Sequence, residues 1–142
     1  MLPTGASEMK RAGEPHLPPR DWPATRTADG RLRLVHGPID LIFDLVGPAP
    51  EVALAEAAAR RAFAGILEAL VAELALLRAP VVPGSPDPAG PVARRMMAAV
   101  RPHAEAFITP MAAVAGAVAD HMLVAIRDAA DLRRAMVNNG GD

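Results

Sequence analysis

The stretch "RLRLVHGPIDLIFDLVG", residues 31–47, changes face at every residue, and that period decides the fold class. Leu32 and Leu34 alternate with Arg31 and Arg33, the pattern of a strand with one face buried and the other wet. After His36 the alternation resumes, with Ile39, Leu41, Phe43 and Leu45 on one face and Asp40, Ile42, Asp44 and Val46 on the other. Gly37-Pro38 supplies turn chemistry between the two runs, so the spacing predicts a β-hairpin. Asp40 and Asp44 share a strand face and could form a carboxylate pair, but a solvated outer face accounts for them.

Downstream the period changes to that of a helix. From Pro50 to Arg78, Val52, Ala59, Phe63, Ile66, Leu67, Leu70, Leu74 and Leu77 recur at steps of three and four, which predicts one long amphipathic helix. Glu51, Arg60, Arg61, Glu68 and Glu73 keep largely to other faces. Residues 79–91, "APVVPGSPDPAGP", hold five prolines, so they must form a Pro-rich loop. "PVARRMMAAVRPH" then opens a short helix on a proline, whose missing N–H costs nothing in a first turn. In "TPMAAVAGAVAD", Thr109 is placed to cap and Pro110 to open a second helix running to Ile126. Its alanines, valines and methionines imply burial on most sides. Gly116, in its middle, implies a backbone passing close. Residues 128–134 read as a further short helical segment, and 135–137 as a terminal strand.

Residues 1–30 contain five prolines and no periodicity, which reads as a flexible arm with Trp22 as its docking point. The ordered domain is therefore expected over residues 31–142, with hairpin, helices and strand giving an α+β class. A net charge of −1 argues against a nucleic-acid or anionic-membrane partner, since either needs a clustered positive field. The pairs Arg60-Arg61, Arg94-Arg95 and Arg133-Arg134 are scattered and read as solvated faces. The chain has no cysteine, which removes disulfides, thiol nucleophiles and zinc–cysteine sites. No signal-peptide pattern opens it and no unbroken apolar run approaches about 20 residues, so a cytoplasmic protein is expected.

Few side chains suggest catalysis. His16, His36, His103 and His121 lack metal-ligand spacing, and Ser7 and Ser85 sit on no nucleophile elbow. Neither a dinucleotide fingerprint nor a Walker sequence is present. The closing "VNNGGD" is more suggestive. Gly140 and Gly141 allow positive φ and close approach of a ligand, while Asn138, Asn139 and Asp142 bring donors and acceptors to the same rim. A plain hairpin turn uses the same residues.

"TPMAAVAGAVAD" followed by "VNNGGD" resembles the ApbE-like superfamily, whose named members are FAD:protein FMN transferases. It is most similar to the uncharacterised, thiamine-biosynthesis-like branch, in which a PMAAVAGA helix precedes an NGGD turn. "HGPIDLIF" and "GPVARRM" are similar to that branch as well. On the transferases' Asp-Leu-Gly-Ala-Ile-Ala-Lys-Gly-Tyr-Ala-x-Asp helix, Ala112, Gly116 and Asp120 match, with Thr109 in place of the first Asp and Ala115 in place of the Lys. The resemblance implies an ApbE-like (T-fold-like) half-domain. It also implies a site for FAD or a related nucleotide formed by Thr109, Pro110, Met111, Ala112, Gly116, Asp120 and residues Asn138, Asn139, Gly140, Gly141 and Asp142. Family members continue past this turn into a half carrying an Asp-Ala-x-x-Thr magnesium site, so the chain is expected to be truncated. Magnesium-dependent flavin transfer is then expected only if that half is supplied. The alternatives are a non-catalytic small-molecule-binding or interaction module and an inactive fragment. A thin sheet with an open edge implies self-association or a complementing chain.

Overall fold

The computed structural model describes residues 21–139. Expectations for the first 20 residues, and for Gly140, Gly141 and Asp142, lie outside them. Four antiparallel strands form one sheet in the order β1-β2-β3-β4: β1 (Thr25–Arg26), β2 (Leu32–His36), β3 (Ile39–Val46) and β4 (Arg134–Asn139). Between β3 and β4 run α1 (Ala49–Phe63), α2 (Ile66–Ala72), α3 (Leu74–Leu77), α4 (Pro91–Val100) and α5 (Val114–Ala129). Two 3₁₀ segments, Arg101–Ala106 and Pro110–Ala113, join the last two helices. The class is α+β.

The alternation in residues 31–47 gives the sheet its two faces. Leu32, Leu34, Ile39, Leu41 and Phe43 are buried on the inner face, in one cluster with Ala55, Ala59 and Phe63 of α1 and Ala117, Val118, Met122 and Ile126 of α5. On the outer face Asp40 accepts from the Arg33 guanidinium (2.9 Å to Nε) and Asp44 from that of Arg134 (3.2 Å). Arg33 beside it holds the Asp40 carboxyl below its ordinary value. These are diagonal cross-strand pairs at the surface, each contributing at most about 1 kcal/mol. The two aspartates are thus bound in separate ion pairs.

The long helix expected from Pro50 to Arg78 is three helices. Gly65 adopts a left-handed conformation (φ 90°) between α1 and α2, and Glu73 interrupts the chain again before α3. Buried side chains still recur as Phe63, Ile66, Leu70 and Leu77 across both breaks, so the apolar period carries no mark of them. The second break frees the Glu73 carboxylate to accept the amides of Ala89 and Gly90, each at 2.8 Å. It thereby caps the start of α4 from the end of the Pro-rich loop.

Four further expectations are corrected. The helix after Pro110 begins as a 3₁₀ turn and continues as α5 to Ala129, with one buried seam and a far face on which Gly116, Asp120 and Arg127 are exposed. It is not buried on most sides. Nothing lies within 4 Å of a Cβ built on Gly116; the close approach is at Gly47, where a Cβ would stand 3.0 Å from Leu132 Cδ2. Residues beyond Ala129 are not helical. Ala130 is extended (φ −148°, ψ 151°), and Arg133 N–H donates to Val46 O at 2.8 Å, which leads the chain into β4 at Arg134. Finally, order reaches into the stretch read as an arm. β1 lies there, and Trp22 donates from its Nε1 to Val35 O (2.8 Å), stacks on His36 (4.2 Å between centroids) and meets Phe63 edge-on. Arg60 leaves its presumed solvated face to donate to Trp22 O at 2.6 Å. By length and composition the Pro110–Ala129 stretch is apolar enough to cross a membrane, and here its seam lies in the core cluster with α1 and the sheet.

The two amides bound to Glu73 hold its carboxyl below the ordinary value of 4.5. The folded state therefore favours the ionised form, and the stabilisation is present above pH 4.5 and lost as the pH falls through the lowered folded value. Replacing the cap, Glu73→Gln, is expected to lower stability at pH 7 by about 1 kcal/mol. The gap from the parent chain should narrow towards pH 3, as urea titrations at the two pH values would show.

Candidate functional site

Two lengths place the end of β4. From Ala129 back to Ala115, α5 rises about 21 Å, and from Arg134 to Asn139 the strand advances about 17 Å in the opposite sense. With a four-residue link between them, the strand end returns to the first turn of the helix. There the Asn139 Nδ2 donates to the Ala115 carbonyl oxygen at 3.2 Å. This side-chain bond joins the two motifs of the sequence, 24 residues apart.

The expected site residues divide around that bond. Pro110 is buried, and Met111 packs half-buried against the core cluster. Thr109 precedes the 3₁₀ turn in an extended conformation. Its carbonyl accepts from Ala112 N–H, while its side chain makes no cap bond. Ala112, Gly116 and Asp120 are exposed, the last two one turn apart on the far face of α5. The strand pleat alternates the side chains of Asn138 and Asn139, and both residues still line one groove at the strand end. Asn139 turns to α5. The groove lined by Asn138 and Asn139 has a volume of about 380 Å³ and runs along the sheet edge, with Arg31, Ile42, Asp44 and Met136 also in its wall.

Two residues near these elements carried no signal in the sequence reading. Arg31 lines the groove beside Asn138, with its Nε donating to Asp29 at 3.1 Å. In the sequence it is one of two arginines in an alternating run, and only the strand pairing sets it near β4. Phe107 is 83% exposed and adopts a left-handed backbone (φ 58°), two residues before Thr109. A bulky residue there is conformationally strained. A lone phenylalanine before "ITP" gave no hint of it.

Chemically, the arrangement offers bare backbone at Gly116, amide groups at the strand end and one guanidinium across the sheet edge. Among the described residues, no three His, Cys, Asp or Glu side chains cluster to hold a metal ion. A two-layer domain in which a polar strand end is tied to a helix start is the class these features define. The chain belongs to the bacterial protein family described as AbpE bacteria, whose model matches residues 24–142, from just before β1 through both motifs. No curated protein and no solved structure matches it.

The placement gives opposite signs to neighbouring substitutions. Asn139→Ala, which removes the bond to α5, is expected to cost about 1 kcal/mol. Gly116→Ala, with open space around its Cβ, should raise stability by up to about 1 kcal/mol. Asp120→Ala should stay within about 0.5 kcal/mol of the parent chain. Urea denaturation of the three variants checks all of these.

Proposed function

We propose that the chain is an ApbE-like protein with a T-fold-like arrangement, and that it binds a flavin or related nucleotide where the end of β4 meets the start of α5. The observation that supports this reading is the Asn139–Ala115 hydrogen bond, which sets the end of β4 against the helix whose PMAAVAGA sequence carries the resemblance. The residues present suit the flat, polar ring of such a ligand. Gly116 leaves backbone uncovered, and amide side chains can pair with a ring's carbonyl and imino edges.

They suit its phosphates less well. Ala115 stands where the transferases have lysine, so the first turn of α5 brings no cation. Arg31 in the groove beside Asn138 is the positive group that could take that part. A flavin, once bound, would supply redox or group-transfer chemistry; this chain's residues would orient the ring and exclude water from one side of it. Magnesium-dependent transfer of FMN would draw its metal donors from outside residues 21–139. The missing lysine favours a second reading, a non-catalytic binding module. β4 lies at the edge of the sheet, where a second copy or a complementing chain would add a strand to it.

Titration of FAD into the purified chain, followed by flavin fluorescence with and without magnesium, tests the reading. Saturable binding is expected, weakened roughly tenfold or more by Gly116→Leu, which has room on the open helix face and leaves the fold intact. A folded chain that binds no FAD, or a Gly116→Leu variant that binds it unchanged, would contradict the proposal. Binding indifferent to magnesium would favour the non-catalytic module over the transferase.

A further inference from the structure

A cavity of about 260 Å³ opens where the α1–α2 junction, the start of α4 and the middle of α5 meet. Its walls are apolar, formed chiefly by Ala62, Ala69, Leu70, Val92 and Ala93, and His121 is the one lining residue with a polar side chain. None of these residues belongs to the strand end or to the first turn of α5, so the cavity is separate from the site proposed above.

Several backbone groups around it are in use. Gly90 N–H donates to Glu73, Gly65 O accepts from Ala69 N–H, and Pro91 has no N–H to offer. The His121 imidazole makes no hydrogen bond to another described residue. Burial, and then the nearby Arg95 charge, lower its pKa from the ordinary 6.5, which leaves it neutral at pH 7 with one donor and one acceptor nitrogen. At Gly65 nothing stands within 4 Å of a built Cβ, so empty space reaches the chain there.

We infer that this cavity is a binding site for a small uncharged ring bearing a single hydroxyl, with the ring against the alanine and leucine walls and the hydroxyl on His121. Size and polarity set that class. An apolar cavity of about 150 Å³ is enough to hold benzene, so this one admits a substituted ring, while remaining below the range of about 300–1,000 Å³ typical of drug-sized ligands. A carboxylate or phosphate would enter walls that offer it no cation and only one neutral donor, and would lose its hydration there. A plain hydrocarbon ring would leave the imidazole unpaired.

Para-cresol is the probe, titrated into the full chain while the His121 ring resonances are followed by NMR. One saturable site is expected, with the imidazole resonances moving along the same isotherm. Toluene, which lacks the hydroxyl, should bind about fivefold to tenfold more weakly, the effect of one neutral hydrogen bond. His121→Leu should abolish that difference while retaining the ring, and Ala69→Leu should abolish binding by filling the cavity. If circular dichroism shows Ala69→Leu to be unfolded, Ala62→Val takes its place. The inference is overturned if the folded chain fails to saturate, if toluene and para-cresol bind equally to the parent chain, or if a folded cavity-filling variant binds as well as the parent.

Discussion

The inner face of β3 has to be covered, and the rest of the structure follows from how that is done. Leu41 and Phe43 are almost fully buried there, in a cluster where α2, α3 and α4 add Ile66, Leu70, Leu77, Val92, Ala93 and Met96 to the seams of α1 and α5. A three- or four-stranded sheet with one dry face is not stable alone; the apolar area on that face has to leave water against another layer. Alanines at 55 and 59 give α1 a flat buried side, while Met122 and Ile126 fill the broader space under α5. Once α5 lies over the face and β4 joins the edge of β3, the strand end has only one place to go. The bond from Asn139 to Ala115 is a consequence of core packing.

Much of this was visible in the chain. The alternation in residues 31–47 yields β2, β3 and the identity of their buried face, and the three- and four-residue steps give the buried side of the first helical region. Other features were hidden for physical reasons. Gly65 turns the chain without disturbing the apolar period, because both flanking helices bury the same side. β1 is a two-residue strand, Thr25–Arg26, without an apolar residue, so only its ladder to β2 reveals it. β4 opens on Arg134, whose charge belongs to an outer-face ion pair with Asp44 and disguised the start of the strand.

The candidate site was legible in its parts and not in its assembly. Two motifs could be seen, but the bond between them depends on matching the rise of a helix with the advance of a strand, quantities that no local pattern contains. The pleat alternates the side chains of Asn138 and Asn139, and of the two it is Asn139 whose amide reaches Ala115, a distinction that adjacency in the sequence does not show. Arg31 approaches the strand end through two ladders, β2 to β3 and β3 to β4, and so could not be linked to it by spacing. The His121 cavity depends on the break at Gly65, where the sequence implied a continuous helix.

Native-state hydrogen exchange is the most direct test of this dependence. If covering β3 holds the domain together, the amides of Phe43 and Leu41 in β3, Val118 and Met122 in α5 and the paired amides of β4 exchange only through global unfolding. They would then share one free energy, equal to that from denaturant titration. Exchange of α5 and β4 at a clearly lower free energy, with β2, β3 and α1 still protected, would contradict the account. The strand end and helix start would then be an appendage to the core.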